Sequence, residues 1–288
     1  MPFSRDRRPR ARHPSAKAAY WLILLPAVLM LVALYLVPLA DVLVTSVTDP
    51  KPGLDNYALL FTSASVQKTL LTTLRIAAIT TLLALLLGYL VAYAMRAATS
   101  RRQRIMLFCV LLPFWISVLV RSFAWLTLLG GHGVLNGLLM DGGLIDEPLS
   151  LVRNETGVLI GMVHVMLPYA ILTLYANMLG IDAGLVAAAR SLGASRGQAF
   201  RMVFLPLTRP GLIGAGTLVF ILSLGFFVTP ALLGGGKVLM IAEYVAVQIN
   251  DTLRWGLGTM LAATLMISVL GALWALSRVI DVRRLFGA

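Results

Sequence analysis

Residues 76–104 read IAAITTLLALLLGYLVAYAMRAATSRRQR. The first twenty positions, Ile76–Met95, carry no charge, and the next nine carry four arginines, Arg96, Arg101, Arg102 and Arg104. Twenty predominantly apolar residues make about 30 Å of helix, the thickness of a bilayer's hydrocarbon layer. An abrupt change from apolar to cationic is what membrane insertion leaves at a cytoplasmic loop. This one stretch therefore predicts a spanning helix and the direction in which it crosses.

The rest of the chain repeats the pattern. Of its 288 residues 59% are hydrophobic and 12% charged, with a mean hydropathy of +0.89. Soluble domains carry about 25% charged residues, and no soluble core absorbs such an excess of apolar side chains, so the chain reads as an integral membrane protein. Five further runs reach spanning length: Ala18–Ala40, Ile105–Gly130 (interrupted by Arg121), Thr156–Ile181, Pro210–Gly236 and Trp255–Ser277. The predicted fold is all-α, with six transmembrane helices. The first run exceeds the roughly 7–15 apolar residues of a secretory signal, and no small-residue cleavage site follows it, so it is expected to be retained.

Lysines and arginines set the orientation. Six precede the first span, four lie at 96–104, four at 181–209 and three at the C-terminal end, against seven elsewhere. Acids run the other way, with only Asp6, Asp182 and Asp281 on the basic side and nine on the other. The positive-inside rule then places both termini and the 181–209 segment in the cytoplasm. The net charge of +12 is accounted for by topology, and nucleic acid is not an expected partner. Residues 1–17 form a basic, proline-containing cytoplasmic tail next to membrane lipid, and 18–288 are expected to form one transmembrane domain. Asp49–Gly53 marks a turn, Leu54–Ser65 a short interfacial helix, and Gly131–Glu155 a structured external loop.

Several chemistries lack their residues. Cys109 is the single cysteine, and His13, His132 and His164 show no ligand spacing, so neither a disulfide nor a metal site is expected. Leu233–Val238 (LGGGKV) imitates a phosphate loop, but Val238 stands where Ser or Thr is required and Ala231 where the first glycine belongs. Gly157 and Gly161 fit the small-residue pattern of packed membrane helices, a weak signal in a glycine-rich chain.

Between the fourth and fifth runs, residues 187–211 read AAARSLGASRGQAFRMVFLPLTRPG. Asp182 is placed to cap a helix over Ala183–Leu192, and Gly193 to end it with a left-handed turn. Ser195 and Gln198 have capping-box spacing and restart a helix. Pro206 is expected to stop that helix and Pro210 to open the next span. The result is a helix–turn–helix over about 182–206, with a small-residue surface and apolar knobs at Leu192 and Phe200. On the residues alone, two readings stay open: a positively charged loop with local helix, or a surface on which another protein docks.

The alanines, glycine and closing Leu-Pro of this segment resemble the cytoplasmic signature of the membrane subunits of bacterial ATP-binding-cassette importers. Ala187-Ala188-Ala189-Arg190-Ser191-Leu192-Gly193-Ala194 occupies the pattern, and Leu205-Pro206 closes it. Ala187 replaces the glutamate typical of the family, and Ser191 its usual acid. Leu112-Pro113-Phe114-Trp115, Val120–Trp125, Gly225–Gly235 and Asn250–Trp255 are similar to the polyamine-type permeases. The resemblance implies that the chain is a permease subunit, not an enzyme, in the bacterial inner membrane. It implies that Ala187, Ala188, Ala189, Arg190, Leu192, Gly193, Ala194, Phe200 and Pro206 couple to a separate ATPase. It further implies two ATP-binding subunits carrying ATP-Mg, no cofactor in this chain, a second, non-identical permease, and an external solute-binding protein.

Ionisable groups inside spans cost roughly 2.5–3.5 kcal/mol on insertion scales and are functional candidates by default. Arg75, Arg121 and His164 qualify, with Arg75 placed to snorkel and His164 to pack through a hydrogen bond. Trp115 and Trp125 flank Arg121. A cationic polyamine favours carboxylates and aromatic faces, which Phe226, Phe227, Glu243, Tyr244, Asp251 and Trp255 supply. Arg121 favours an anionic or zwitterionic solute instead, and the sequence leaves that conflict open. The rival class is an ion-gradient-driven secondary transporter acting without an ATPase, which predicts intramembrane acids or repeats that the sequence does not display.

Overall fold

Tracing the chain from Ala16, the first residue the computed structural model describes, to Val279, the last, one meets only helices and their connections. The expected tail at 1–17 lies outside the described residues except for Ala16 and Lys17, which begin α1 (Ala16–Leu31). A π-helical turn (Val32–Leu36) joins α1 to α2 (Val37–Thr48), so the first span is one rod with a widened turn. The widening falls just before Pro38, whose ring has no N–H to donate and collides with the carbonyl four residues back.

The short helix expected at Leu54–Ser65 is α3 (Asp55–Thr62). After it, α4 (Ala64–Ala97) runs unbroken for 34 residues, well beyond the Ile76–Met95 run. The third run is not one helix. It divides into α5 (Ser100–Leu111), a 3-10 turn (Leu112–Trp115) and α6 (Val118–Leu129). The break comes at Pro113, not at Arg121: Ile116 is extended, and the Ser117 hydroxyl restarts the helix by accepting from the Leu119 N–H at 3.3 Å. A charge is tolerated in a helix ladder, whereas a missing N–H interrupts it. The following loop contains α7 (Val134–Asp141). Asn154 then caps α8 (Glu155–Leu179), accepting from the Gly157 N–H at 3.0 Å.

Next come α9 (Ala183–Ser191), α10 (Arg196–Ala199), a second π turn (Phe200–Phe204) and α11 (Leu205–Leu207). Pro206 therefore does not stop the helix. The π turn, with the Leu205 N–H bonded to the Phe200 carbonyl, opens the ladder where Pro206 offers no donor. The chain bends by 56° only afterwards, at Thr208, into α12 (Arg209–Leu224), with Pro210 in its first turn. The fifth run also breaks, at Gly225–Phe227, before α13 (Val228–Leu233). α14 (Ile241–Asn250) and α15 (Trp255–Val279) complete the described chain. Among the described residues five helices or joined helices are long and apolar enough to cross a membrane, and α12 makes a sixth only when taken together with the bent segment before it.

The core is a three-helix packing of α4, α8 and α12. Ala84, Ala92, Val165, Met166, Ala170, Leu174, Met178, Ala215 and Val219 are buried there. Lipid is as apolar as leucine, so close packing rather than water exclusion holds such helices together. Small side chains permit it: a Cβ on Gly88 would lie 3.0 Å from the Cβ of Ala170. The first span stays outside this core, with α2 against α15 and leucines such as Leu29 and Leu34 exposed.

Candidate functional site

The segment between α8 and α12 is built from its caps outward. Asp182 Oδ1 accepts from the Gly184 N–H at 2.8 Å, satisfying one of the free donors at the start of α9. At the other end Gly193 stands at φ +92°. Its N–H donates to the Arg190 carbonyl at 3.0 Å and the Ala194 N–H to the Ala189 carbonyl at 3.1 Å, the paired bonds of a left-handed helix stop. Ser195 and Gln198 close both halves of the capping box, at 3.3 and 2.8 Å. Nearly every backbone direction in this hairpin is thus specified by its own local sequence.

Its inner side rests on the end of α4. The rings of Phe200 and Phe204 meet Tyr93 edge-on, with centroids 5.5 and 5.4 Å apart. Phe200 is therefore not the outward knob the sequence predicts, because the aromatic pair on α4 takes it inward. Arg96 holds its guanidinium 4.6 Å from the Phe204 ring centroid and donates to the Ile181 carbonyl at 2.8 Å, fastening α4 to the entry of α9. The Tyr89 and Thr208 hydroxyls hydrogen-bond at 3.2 Å beside the 56° bend. Tyr93, Phe204 and Arg96 had no place in the functional reading of the sequence. The one available signal was that Arg96 begins the basic loop immediately after a span.

Small and basic residues stay accessible. Ala187, Ala188, Arg190 and Gly193 are exposed and Leu192 is 89% exposed, while Ala189, Ala194 and Pro206 are half-buried. Between the hairpin and α4 lies a cavity of about 550 Å³, lined among others by Tyr93, Arg96, Ala187, Arg190, Arg196 and Phe204.

The residues expected along a solute path fall into two groups. On α6, Trp125 donates its indole N–H to His164 Nδ1 on α8 at 3.1 Å, and Ser122 and Thr229 share a buried hydrogen bond of 3.1 Å. Phe226 and Trp125 pack against the same buried cluster, which includes Ile76, Met162 and Leu233. Arg121 is half-buried, and its Nε has no hydrogen-bond partner. Trp115 lies 89% exposed on the 3-10 turn, and Phe227 is exposed at the α12–α13 break.

The second group lies on α14 and its connection to α15. Glu243 is 9% exposed and its Oε2 has no hydrogen-bond partner. Burial pushes its carboxyl up to about 6, because removing water penalises the charged form. Tyr244 lines a cavity of about 280 Å³ together with Lys68 and Lys237. Asp251 and Trp255 are exposed at the connection. No ion pair or hydrogen bond joins Arg121 to Glu243 among the described residues.

The model of the family described as "Binding-protein-dependent transport system inner membrane component" matches residues 84–286. A spermidine/putrescine transport system permease protein PotB of Haemophilus influenzae is 36% identical over 220 residues, 76% of each chain. The PotB of Escherichia coli is 34% identical over 232 residues, 79% of this chain and 84% of that one. Among solved structures, a bacterial ABC transporter involved in the import of the acidic polysaccharide alginate superimposes with a TM-score of 0.74 at 18% identity, covering 92% of this chain and 97% of that one. That likeness extends the fold to nearly the whole chain, while the sequence match fixes the lineage. With a helical membrane core and a family match that includes the α9–α10 hairpin, this chain belongs to the binding-protein-dependent transport system inner membrane components, as the permease subunit of an ATP-binding-cassette importer.

Proposed function

We propose that the chain carries part of the translocation path for a polyamine such as spermidine or putrescine, with 18–288 acting as one permease domain. The observation that carries this reading is the 36% identity with a spermidine/putrescine permease over 76% of each chain. Glu243 supports it from within the molecule. A buried carboxylate with an unpartnered oxygen, next to Tyr244 on α14, offers a solute amine the charge and aromatic surface a cation seeks.

In this reading both termini and the α9–α10 hairpin face the cytoplasm of a bacterium. Two ATP-binding subunits hold ATP-Mg and dock on residues 182–206, a second, non-identical permease completes the path, and an external binding protein delivers the solute. Closing of the ATPases moves the hairpin, and Arg96 and the Tyr93–Phe204 contact carry the movement into α4. The chain itself binds no nucleotide.

Reconstitution with the neighbouring subunits in proteoliposomes tests the proposal. The expected result is ATP hydrolysis stimulated by binding protein loaded with putrescine or spermidine, and not with an opine, an aminophosphonate or ferric iron. Stimulation by one of the latter replaces the solute class. Uptake by the lone chain, driven by an ion gradient without ATPase, rejects the coupling scheme.

A further inference from the structure

The cavity between α4 and the hairpin is cationic and incomplete. Arg190 on α9 and Arg196 at the start of α10 line it from two helices that the Gly193 turn brings together. No carboxylate lines it, and neither arginine has an ion pair or a hydrogen bond among the described residues. Its floor is firm, because Phe200 and Phe204 are packed on Tyr93 and Arg96 is fastened to the Ile181 carbonyl. Ala187 also lines it, and its single methyl group leaves the space open.

We propose that this cavity is a socket for an acidic side chain of the ATP-hydrolysing partner, gripped by Arg190 and Arg196. The inference rests on reading residues 182–206 as the ATPase-docking segment, and adds what the partner inserts and where. Charge complementarity selects the occupant. Two arginines lining one cavity with an aromatic floor suit a carboxylate, which arginine holds through paired N–H donors. The small residues beside them, Ala183 and Ala187, let a second protein's backbone come close enough to deliver it. A carboxylate placed at 187 would stand one turn from Arg190 and occupy the socket from within.

The test uses the full chain in nanodiscs of zwitterionic phosphatidylcholine, titrated with the separately purified ATPase subunits. Four forms are compared: wild type, Arg190→Glu/Arg196→Glu, Arg190→Lys/Arg196→Lys and Ala187→Glu. Charge reversal is expected to raise the ATPase concentration for half-maximal association about thirtyfold or more, the range seen when one partner of a buried charge pair is removed. The lysine pair is expected to stay within a few-fold of wild type. Ala187→Glu, which adds one exposed side chain and keeps the arginines, is expected to weaken association about three- to tenfold by competition. Equal binding of all four forms, or tighter binding by Ala187→Glu, overturns the socket while leaving the docking segment intact. Binding that appears only when phosphatidylglycerol is added assigns the arginines to lipid and overturns it as well. A wild-type chain that binds no ATPase in either lipid overturns both readings.

Discussion

Gly193 stands at φ +92°, a conformation that costs an L-residue about 1–2 kcal/mol and a β-branched one more. Gly193→Val is therefore expected to leave the spans folded while reopening the angle between α9 and α10. Transport per ATP hydrolysed should fall severalfold in reconstituted complexes, and normal transport with normal ATPase co-purification would contradict a docking role. Glu243 offers a pH test. Its carboxyl titrates near 6, above its usual value, so the stabilising neutral form is fully present below about 4.5 and is lost as pH rises through 6. Glu243→Gln should melt at the wild-type temperature at pH 4.5 and several degrees higher at pH 8, with slower polyamine uptake at both. A melting difference that does not change with pH would show that the carboxyl does not titrate in this range. Single-residue chemistry was only partly legible in advance. The caps at Asp182, Gly193 and Ser195 are local and could be read directly. The inward turn of Phe200 could not, because its partners Tyr89 and Tyr93 lie more than a hundred residues away in sequence.

At the scale of elements, hydropathy located the apolar runs but not their breaks. Arg121 looked like the interruption of the third run, yet Pro113 makes it, and the α12–α13 break at Gly225–Phe227 gave no hydropathy signal at all. Hydropathy averages over about 19 positions, whereas a helix ladder fails at one missing donor. Packing between elements was equally faint. Gly157 and Gly161 matched a common pattern, and only the structure shows that a Cβ on Gly161 would meet Leu233 Cδ1 at 2.5 Å and Thr229 Cγ2 at 2.6 Å. Gly161→Leu should push α13 off α8, destabilising the fold by about 1–3 kcal/mol, the usual cost of an overpacked core. It should also disturb the Ser122–Thr229 bond, since Thr229 belongs to the displaced helix. Thermal unfolding in detergent measures the loss. An unchanged midpoint would mean that α13 moves freely in the membrane domain.

For the whole molecule, the charge count predicts a sidedness that reporters can read. A phosphatase fused within 131–150 should be active outside the cytoplasm, and one fused at 98–99 inactive, with a cytoplasmic fluorescent reporter giving the opposite pattern. Reversed signals would invert the orientation and detach the hairpin from any cytoplasmic ATPase. The all-helical, multi-span architecture was the most legible part of the sequence, since insertion depends on bulk hydropathy rather than on side-chain geometry. One feature joins the two faces. α4 runs unbroken from Ala64 to Ala97, about 50 Å at helical rise. Towards one end Arg75 pairs with Glu155 at the start of α8, and at the other Arg96 grips the Ile181 carbonyl just beyond its end. Both ends of α8 are therefore lashed to the same strut. A tug on the hairpin is expected to reach the far end of α4 as a joint tilt of the two helices.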